Sequence, residues 1–275
     1  MTHPILDRIS YHAVYDASIP DALEYAHENG FAGIQVAVES PHMSFESLSD
    51  ETIGQIAAYA ESNNLYITLH APDETASLFQ PSKFLREGIL NYYRALFDFA
   101  ARIKARLVTI HIGQITAFPT DTSRELSVPE EDQAICREIA TQNLDKLLEF
   151  AAGRFIICVE NYALDQFSLF LLKTYLDNNR IALCWDIAKS WNNQILERFF
   201  LSSIDRVKQV HLHDIRQDEK GNKRSHRVIG SGDIDFTYYL DRLAEADVFD
   251  YCIEVRPREK ARESLQALKK LLGLM

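Results

Sequence analysis

Apolar positions along the chain alternate between two periods. Short β-rich runs recur at residues 8–14 (RISYHAV), 33–39 (GIQVAVE), 65–71 (LYITLHA), 106–112 (RLVTIHI), 154–160 (RFIICVE), 181–187 (IALCWDI), 207–214 (VKQVHLHD) and 250–256 (DYCIEVR). Between them, stretches such as IPDALEYAHENG, SDETIGQIAAYAESNN and ILNYYRALFDFAARIKA place apolar residues at i, i+3, i+4 and i+7, the spacing of a helix that buries one face. Continuously apolar strands separated by helices imply parallel pairing covered on both sides, and eight right-handed units of this kind can close on themselves. The pattern therefore predicts an α/β fold, a (β/α)8 TIM barrel, over residues 1–275 as a single domain. A doubly wound open sheet is the alternative, but it calls for a Gly-rich turn after the first strand, and SYHAVYDAS has none.

Punctuation supports the element boundaries. Ser49 or Asp50 can cap the helix that begins ETIGQIAAYA, while Gly30 and Asn63-Asn64 supply stop signals. The longest connection, GQITAFPTDTSRELSVPEEDQ, follows the fourth strand without periodicity and reads as a functional loop over the barrel mouth. A second, IRQDEKGNKRSHRVIGSGDID, follows the seventh strand. Its Gly230 and Gly232 permit a sharp turn before Asp233 or Asp235 caps the next helix.

Composition narrows the classes of partner. Hydrophobic residues make up 47% of the chain, enough for a large core, and 29 Lys+Arg against 40 Asp+Glu give a net charge of -11. Such a field repels polyanions, so nucleic acid is disfavoured. Cys136, Cys158, Cys184 and Cys252 form no C-x-x-C pair, and three lie in apolar runs; they read as reduced packing residues, which suits the cytoplasm. MTHPILDRIS lacks the parts of a signal peptide, and no apolar run approaches the ~20 residues that span a bilayer, so a soluble protein is expected. The sequence leaves a homo-oligomer open.

Polar residues collect at the C-terminal ends of the strands: His70, His111, Glu160, Asp186, His211 with His213, and Glu254. In a β/α barrel those ends share one mouth, where barrel enzymes place their chemistry. Each residue alone has a structural explanation, such as a helix cap at Glu160 or a Glu254–Arg256 salt bridge; their common register carries the inference. Carboxylates mixed with imidazoles suit one divalent cation, Mn²⁺, Zn²⁺, Mg²⁺ or Co²⁺.

In order and spacing, GFAGIQV, ITLHAP, VTIHIG, ICVENY, WDIAKSW, VHLHDIR, HRVIGSGDIDF and CIEVRP resemble the xylose isomerase-like barrels. These include sugar and sugar-phosphate isomerases or epimerases, inosose dehydratases and endonuclease IV of the AP endonuclease family 2. For the isomerase branch, the resemblance implies a single ion held by Glu160, Asp186, His211 and Glu254. It also implies an enediolate formed from a ketose and stabilised by that ion as a Lewis acid, with Glu160 and Glu254 removing and returning a carbon-bound proton on opposite faces.

The trinuclear zinc site of endonuclease IV corresponds to His70, His111, Glu160, Asp186, His211, His226 and Glu254, but two of its positions are Lys189 and Arg224 here, neither able to ligate zinc as a cation. Lys189 is read either as an ammonium aimed at substrate or as a salt bridge to Asp186 in a barrel without a metal. Glu160, Glu254, Lys189 and His70 are thus the expected catalytic residues, and His111, His213, His226, Trp185 and Arg256 the expected substrate contacts. Arg216, Arg224 and Arg227 are further anion contacts, and Tyr11, Phe118, Tyr162 and Trp191 are aromatic residues able to stack on a sugar. The leading expectation is a metal-dependent sugar or sugar-phosphate isomerase or epimerase. Its alternatives are an inosose-type dehydratase, an abasic-site phosphodiesterase and a non-catalytic carbohydrate-binding barrel.

Overall fold

A computed structural model describes residues 5–73, 75–116, 118–119 and 126–274, with backbone alone at 118–119 and 126–127. Among the described residues, eight parallel strands close a barrel: Ile9–Ala13, Gly33–Ala37, Tyr66–His70, Leu107–Ile110, Ile156–Glu160, Ala182–Asp186, Val207–Leu212 and Asp250–Ile253, named below the first to eighth strands. Closure comes from the first strand pairing with the eighth, Ile9 beside Tyr251 and Tyr11 beside Ile253, which removes both sheet edges and excludes the open sheet. All eight expected runs contain one of these strands.

Helix boundaries follow the capping chemistry. Ser49 accepts from the Thr52 N–H at 3.1 Å and opens Asp50–Ser62, and Asp235, not Asp233, caps Phe236–Leu243 by accepting from Tyr238 N–H at 3.1 Å. Gly30 closes Ile19–Asn29 in the left-handed conformation, φ 72°. Helix Lys83–Arg102 starts six residues before the expected apolar stripe, because its first turns face solvent; Phe84 is 84% exposed. No helix among the described residues is long and apolar enough to cross a membrane.

The strands depart from the continuously apolar pattern on their inner face. Ile34, Val36, Leu69, Val108, Ile110, Leu183 and Trp185 belong to the large apolar cluster. The alternate positions Ser10, Gln35, Thr68, Thr109, Gln209 and Asp250 instead form a buried hydrogen-bonded layer inside the barrel. Gln35 donates to Gln209 at 3.1 Å, Gln209 donates to Asp250 at 2.6 Å, and Ser10 and Tyr66 hydroxyls also donate to Asp250, at 2.6 and 2.8 Å. Every donor there converges on an acceptor, which is the condition for tolerating a polar layer at this depth. Cys158 and Cys184 pack in the interior with Leu107 and Ala182.

Two connections shape the mouth. After the fourth strand, Phe118–Pro119 pairs antiparallel with Leu126–Ser127; the Phe118 side chain, expected as a stacking ring, lies outside the described residues. After the seventh strand, the expected loop contains a ribbon, Asp214–Gln217 against Lys223–Arg227. Buried Asp214 holds it by accepting from the N–H groups of Ile215, Gly232 and Ile234 at 2.9, 2.7 and 3.2 Å. A Cβ at position 232 would collide with the Asp214 carboxylate, so glycine there is a requirement of close approach.

Candidate functional site

The inward-facing positions at or just beyond the strand ends, of the same parity as the inner layer, carry His12, His70, His111, Glu160, Asp186, His211 and Glu254 to the mouth. One nitrogen or oxygen from each of Glu160, Asp186, His211 and Glu254 lies within 4.8 Å of the others. Two further groupings adjoin it: His70, His111 and Glu160, and His213, His226 and Glu254.

Glu160 is engaged on both oxygens. Its Oε2 lies 3.0 Å from His70 Nε2 and 2.6 Å from His111 Nε2; its Oε1 accepts from Lys189 Nζ and lies 3.3 Å from His211 Nδ1. Burial alone would raise its pKa, but Lys189 and the imidazoles outweigh burial and hold the carboxyl well below the usual range. His70 places Nδ1 2.8 Å from the Ala71 carbonyl and Nε2 on Glu160; burial works against its charge, yet Glu160 prevails and the ring is pushed up to about 9. Tyr162 stacks on His111 with centroids 4.5 Å apart, and Lys189 Nζ lies 5.0 Å from the same tyrosine ring.

Asp186 caps the short turn Ile187–Ser190 by accepting from Lys189 N–H at 3.0 Å; its Oδ2 lies 3.2 Å from Lys189 Nζ and 3.3 Å from His213 Nε2. Burial favours its neutral form, but His213 and Lys189 prevail and lower its pKa. Asn161 fixes the strand end, its Oδ1 accepting from Asp186 N–H at 2.7 Å and its Nδ2 donating to the Asp186 carbonyl at 2.9 Å.

Glu254 has a freer environment. Its Oε1 lies 3.2 Å from Arg256 Nη2, 3.3 Å from His12 Nδ1 and 3.6 Å from His226 Nε2, while Oε2 is buried without a hydrogen-bond partner, 3.6 Å from His211 Nδ1. Burial is again outweighed, here by His12, His226 and His211, and the carboxyl is held well below its ordinary value. Burial pulls His12 down to about 4, so this ring is neutral. His226 adopts φ 55° and donates its N–H to His213 Nδ1 at 3.0 Å, stacking on that ring at 4.3 Å.

The donor set fits a divalent ion. Ligands about 2.1 Å from a common ion lie roughly 3.0–3.4 Å apart. His211 stands 3.3 and 3.6 Å from the two glutamates and is fully buried, yet neither ring nitrogen has a hydrogen-bond partner. Three buried carboxylates converge on this spot, with Lys189, Arg256 and the His70 ring as their positive neighbours. Lys189 and such an ion compete for Glu160 Oε1.

Several expected residues lie elsewhere. Trp185 has the opposite parity to Asp186 and points into the helix layer, fully buried, stacked on Phe200 at 5.5 Å and donating to Ser190 Oγ at 2.8 Å; it is a core residue and is not brought to the mouth. Tyr11 is likewise buried, its hydroxyl donating to Asp16 at 2.9 Å. Arg216 and Arg224 face each other across the exposed ribbon, and Trp191 lies under Lys223 there. His12 and Asn161 join the site although the strand-end reading began only at the third strand and named neither. His12 ends the first strand by the same rule that found His70. Asp73 also joins, its Oδ1 3.5 Å from His70 Nδ1 and 3.4 Å from His111 Nδ1.

The chain is 24% identical over 233 residues to the uncharacterized protein MJ1614 of Methanocaldococcus jannaschii, covering 83% of this chain and 82% of that protein. Among solved structures, a D-tagatose 3-epimerase-like protein superposes with a TM-score of 0.75 at 19% identity, covering 97% of each chain. Endonuclease IV from Thermus thermophilus superposes at 0.72 and 19% identity, over 98% of this chain and all of that one. At such identities the likeness is one of fold, shared by an epimerase-like protein and a nuclease. The family model of the xylose isomerase-like TIM barrel matches residues 23–271, and the chain belongs to that family.

Proposed function

We propose that the mouth is the active centre of a divalent-cation-dependent sugar isomerase or epimerase that moves a proton on a carbon beside a carbonyl. The observation that carries this reading is His211, an imidazole buried between two carboxylates with neither nitrogen hydrogen-bonded. Glu160, Asp186, His211 and Glu254 would hold the ion, which supplies Lewis-acid stabilisation of charge developing on the sugar oxygens. Glu254, with Oε2 free, takes the carbon-bound proton; on the other side the Lys189–Glu160 pair holds a proton to return. His70 and His111 keep Glu160 ionised and oriented. The epimerase-like neighbour supports a small sugar as substrate, and the loss of two endonuclease IV ligand positions, at Lys189 and Arg224, argues against nuclease chemistry.

The test is a ketose panel in deuterated water with and without Mn²⁺. Metal-dependent deuterium at one carbon supports the reading, and loss of water from an inosose-like substrate would convert it to a dehydratase. No exchange with any sugar would overturn it.

A second reading is favoured by Lys189, whose ammonium touches both Glu160 and Asp186. In it the lysine is the resident cation of a carbohydrate-binding barrel that uses no metal. Mn²⁺ binding separates the two readings.

A further inference from the structure

Between the loops that follow the third and fourth strands lies a cavity of about 370 Å³, bordered by Asp73, Thr75, Gln80, Gln114, Thr116 and Tyr162. Resting on the sugar reading above, we infer that it is a second sugar subsite, which takes the neutral glycosyl unit of a ketose glycoside whose ketose unit lies at the ion.

The cavity is formed without a ligand. Leu78 N–H donates to the Ile112 carbonyl at 2.9 Å and Ser77 Oγ donates to the Gln114 carbonyl at 3.3 Å, so the two loops are fastened to each other. From helix Glu130–Ala151, buried Asn143 donates to the Leu78 carbonyl at 2.7 Å. Gly113 adopts φ 80°, and a Cβ there would collide with Ser77, so the approach of the two loops requires glycine. A wall held in this way has little freedom left to lose on binding, which favours affinity.

Position joins the cavity to the reaction centre. Tyr162 borders it, and the same ring stacks on His111 and stands 5.0 Å from Lys189 Nζ, two groups that hold Glu160. Asp73, also on the wall, comes within 3.4 Å of His111 Nδ1. None of Glu160, Asp186, His211 and Glu254 borders the cavity, so this space is additional to that around the ion. Its volume alone falls in the range of small-molecule sites, ~300–1,000 Å³, which gives room for a further ring rather than only the end of a hexose chain.

The lining suits a neutral polyol. Thr75, Thr116 and Tyr162 bring hydroxyls and Gln80 and Gln114 bring amides, groups that both donate and accept as sugar hydroxyls do. Thr75, Gln114 and Thr116 are exposed and open to a ligand. No lysine, arginine or histidine among the described residues borders the cavity, so a phosphate or carboxylate would find no cation there to pair with. Helix Lys83–Arg102 starts close by, but its first residues, Lys83, Phe84 and Leu85, are exposed and do not border the cavity.

Calorimetric titration of the Mn²⁺-supplemented protein with D-fructose, the glucosyl-fructoses turanose, maltulose and isomaltulose, and D-fructose 6-phosphate tests this. At least one glucosyl-fructose should bind about tenfold tighter than D-fructose. Thr116→Trp, which fills the cavity from an exposed position, should abolish that advantage while leaving D-fructose binding and Tm intact, and Gln114→Leu should reduce it. D-fructose 6-phosphate should show no gain that depends on the cavity. If no glucosyl-fructose gains over D-fructose, if the gain survives both variants, or if the phosphate ester gains affinity that Thr116→Trp removes, this inference fails and the sugar reading stands, because D-fructose at the ion does not use the cavity. If none of these compounds binds, both fail.

Discussion

Glu160 and Glu254 meet in one mouth, at the ends of the fifth and eighth strands, and their surroundings differ. Glu160 is enclosed: two imidazoles hold Oε2, and an ammonium holds Oε1. Glu254 has partners on one oxygen and none on the other, and a cavity opens beside it. Like carboxylates acquire different work from their neighbours. A carboxylate hydrogen-bonded on both oxygens serves mainly as a fixed charge, whereas one with an oxygen free of hydrogen bonds can accept a proton from substrate.

Removing each charge in turn should separate the two roles. Glu160→Gln strands Lys189 and two imidazoles in a buried site, so it should cost about 3–5 kcal/mol of unfolding free energy, read by urea denaturation. Glu254→Gln should cost far less stability, because Arg256 beside it reaches solvent, yet solvent deuterium entry into substrate should fall about 10²–10⁴-fold. Equal losses of stability for the two variants would erase the distinction.

A smaller effect is expected at Lys189. Replacing it with Met removes the competitor at Glu160 Oε1, and Mn²⁺ affinity should rise about tenfold, a change of about 1.4 kcal/mol. Unchanged affinity together with lost stability would make the ammonium the resident cation.

The smallest effect concerns pH. His70 is pushed from its ordinary 6.5 to about 9 by Glu160, despite burial. A raised histidine contributes stability that is complete below 6.5 and lost as pH rises through about 9. Thermal unfolding of chelator-treated protein should therefore show a falling Tm across that window, and Glu160→Gln should flatten the slope. A Tm independent of pH between 6.5 and about 9 would contradict the His70–Glu160 pairing.

What the sequence made legible follows from periodicity. Strands of four to six residues between amphipathic helices gave the barrel, and polar residues at strand ends gave His70, His111, Glu160, Asp186, His211 and Glu254 as one constellation, because parallel strands align their ends. Period two also separates neighbours: Trp185, one residue from Asp186, has to face the helices, and that parity was readable. His12 was within reach of the same rule. The polar inner layer was visible as Ser10, Gln35, Thr68, Thr109, Gln209 and Asp250 at alternate positions, although apolar neighbours masked it. Other features depend on tertiary approach and leave no periodic trace: Lys189 reaching across to Glu160, Asn161 clamping the Asp186 backbone, and Asp73 joining from a loop.

The central claim is that Glu160, Asp186, His211 and Glu254 hold one divalent ion. Electron paramagnetic resonance of the protein titrated with Mn²⁺ tests it most directly. One ion per chain should bind with a coupling to an imidazole nitrogen that disappears in His211→Gln. Failure to bind Mn²⁺ stoichiometrically, or a nitrogen coupling that persists in His211→Gln, would contradict the account.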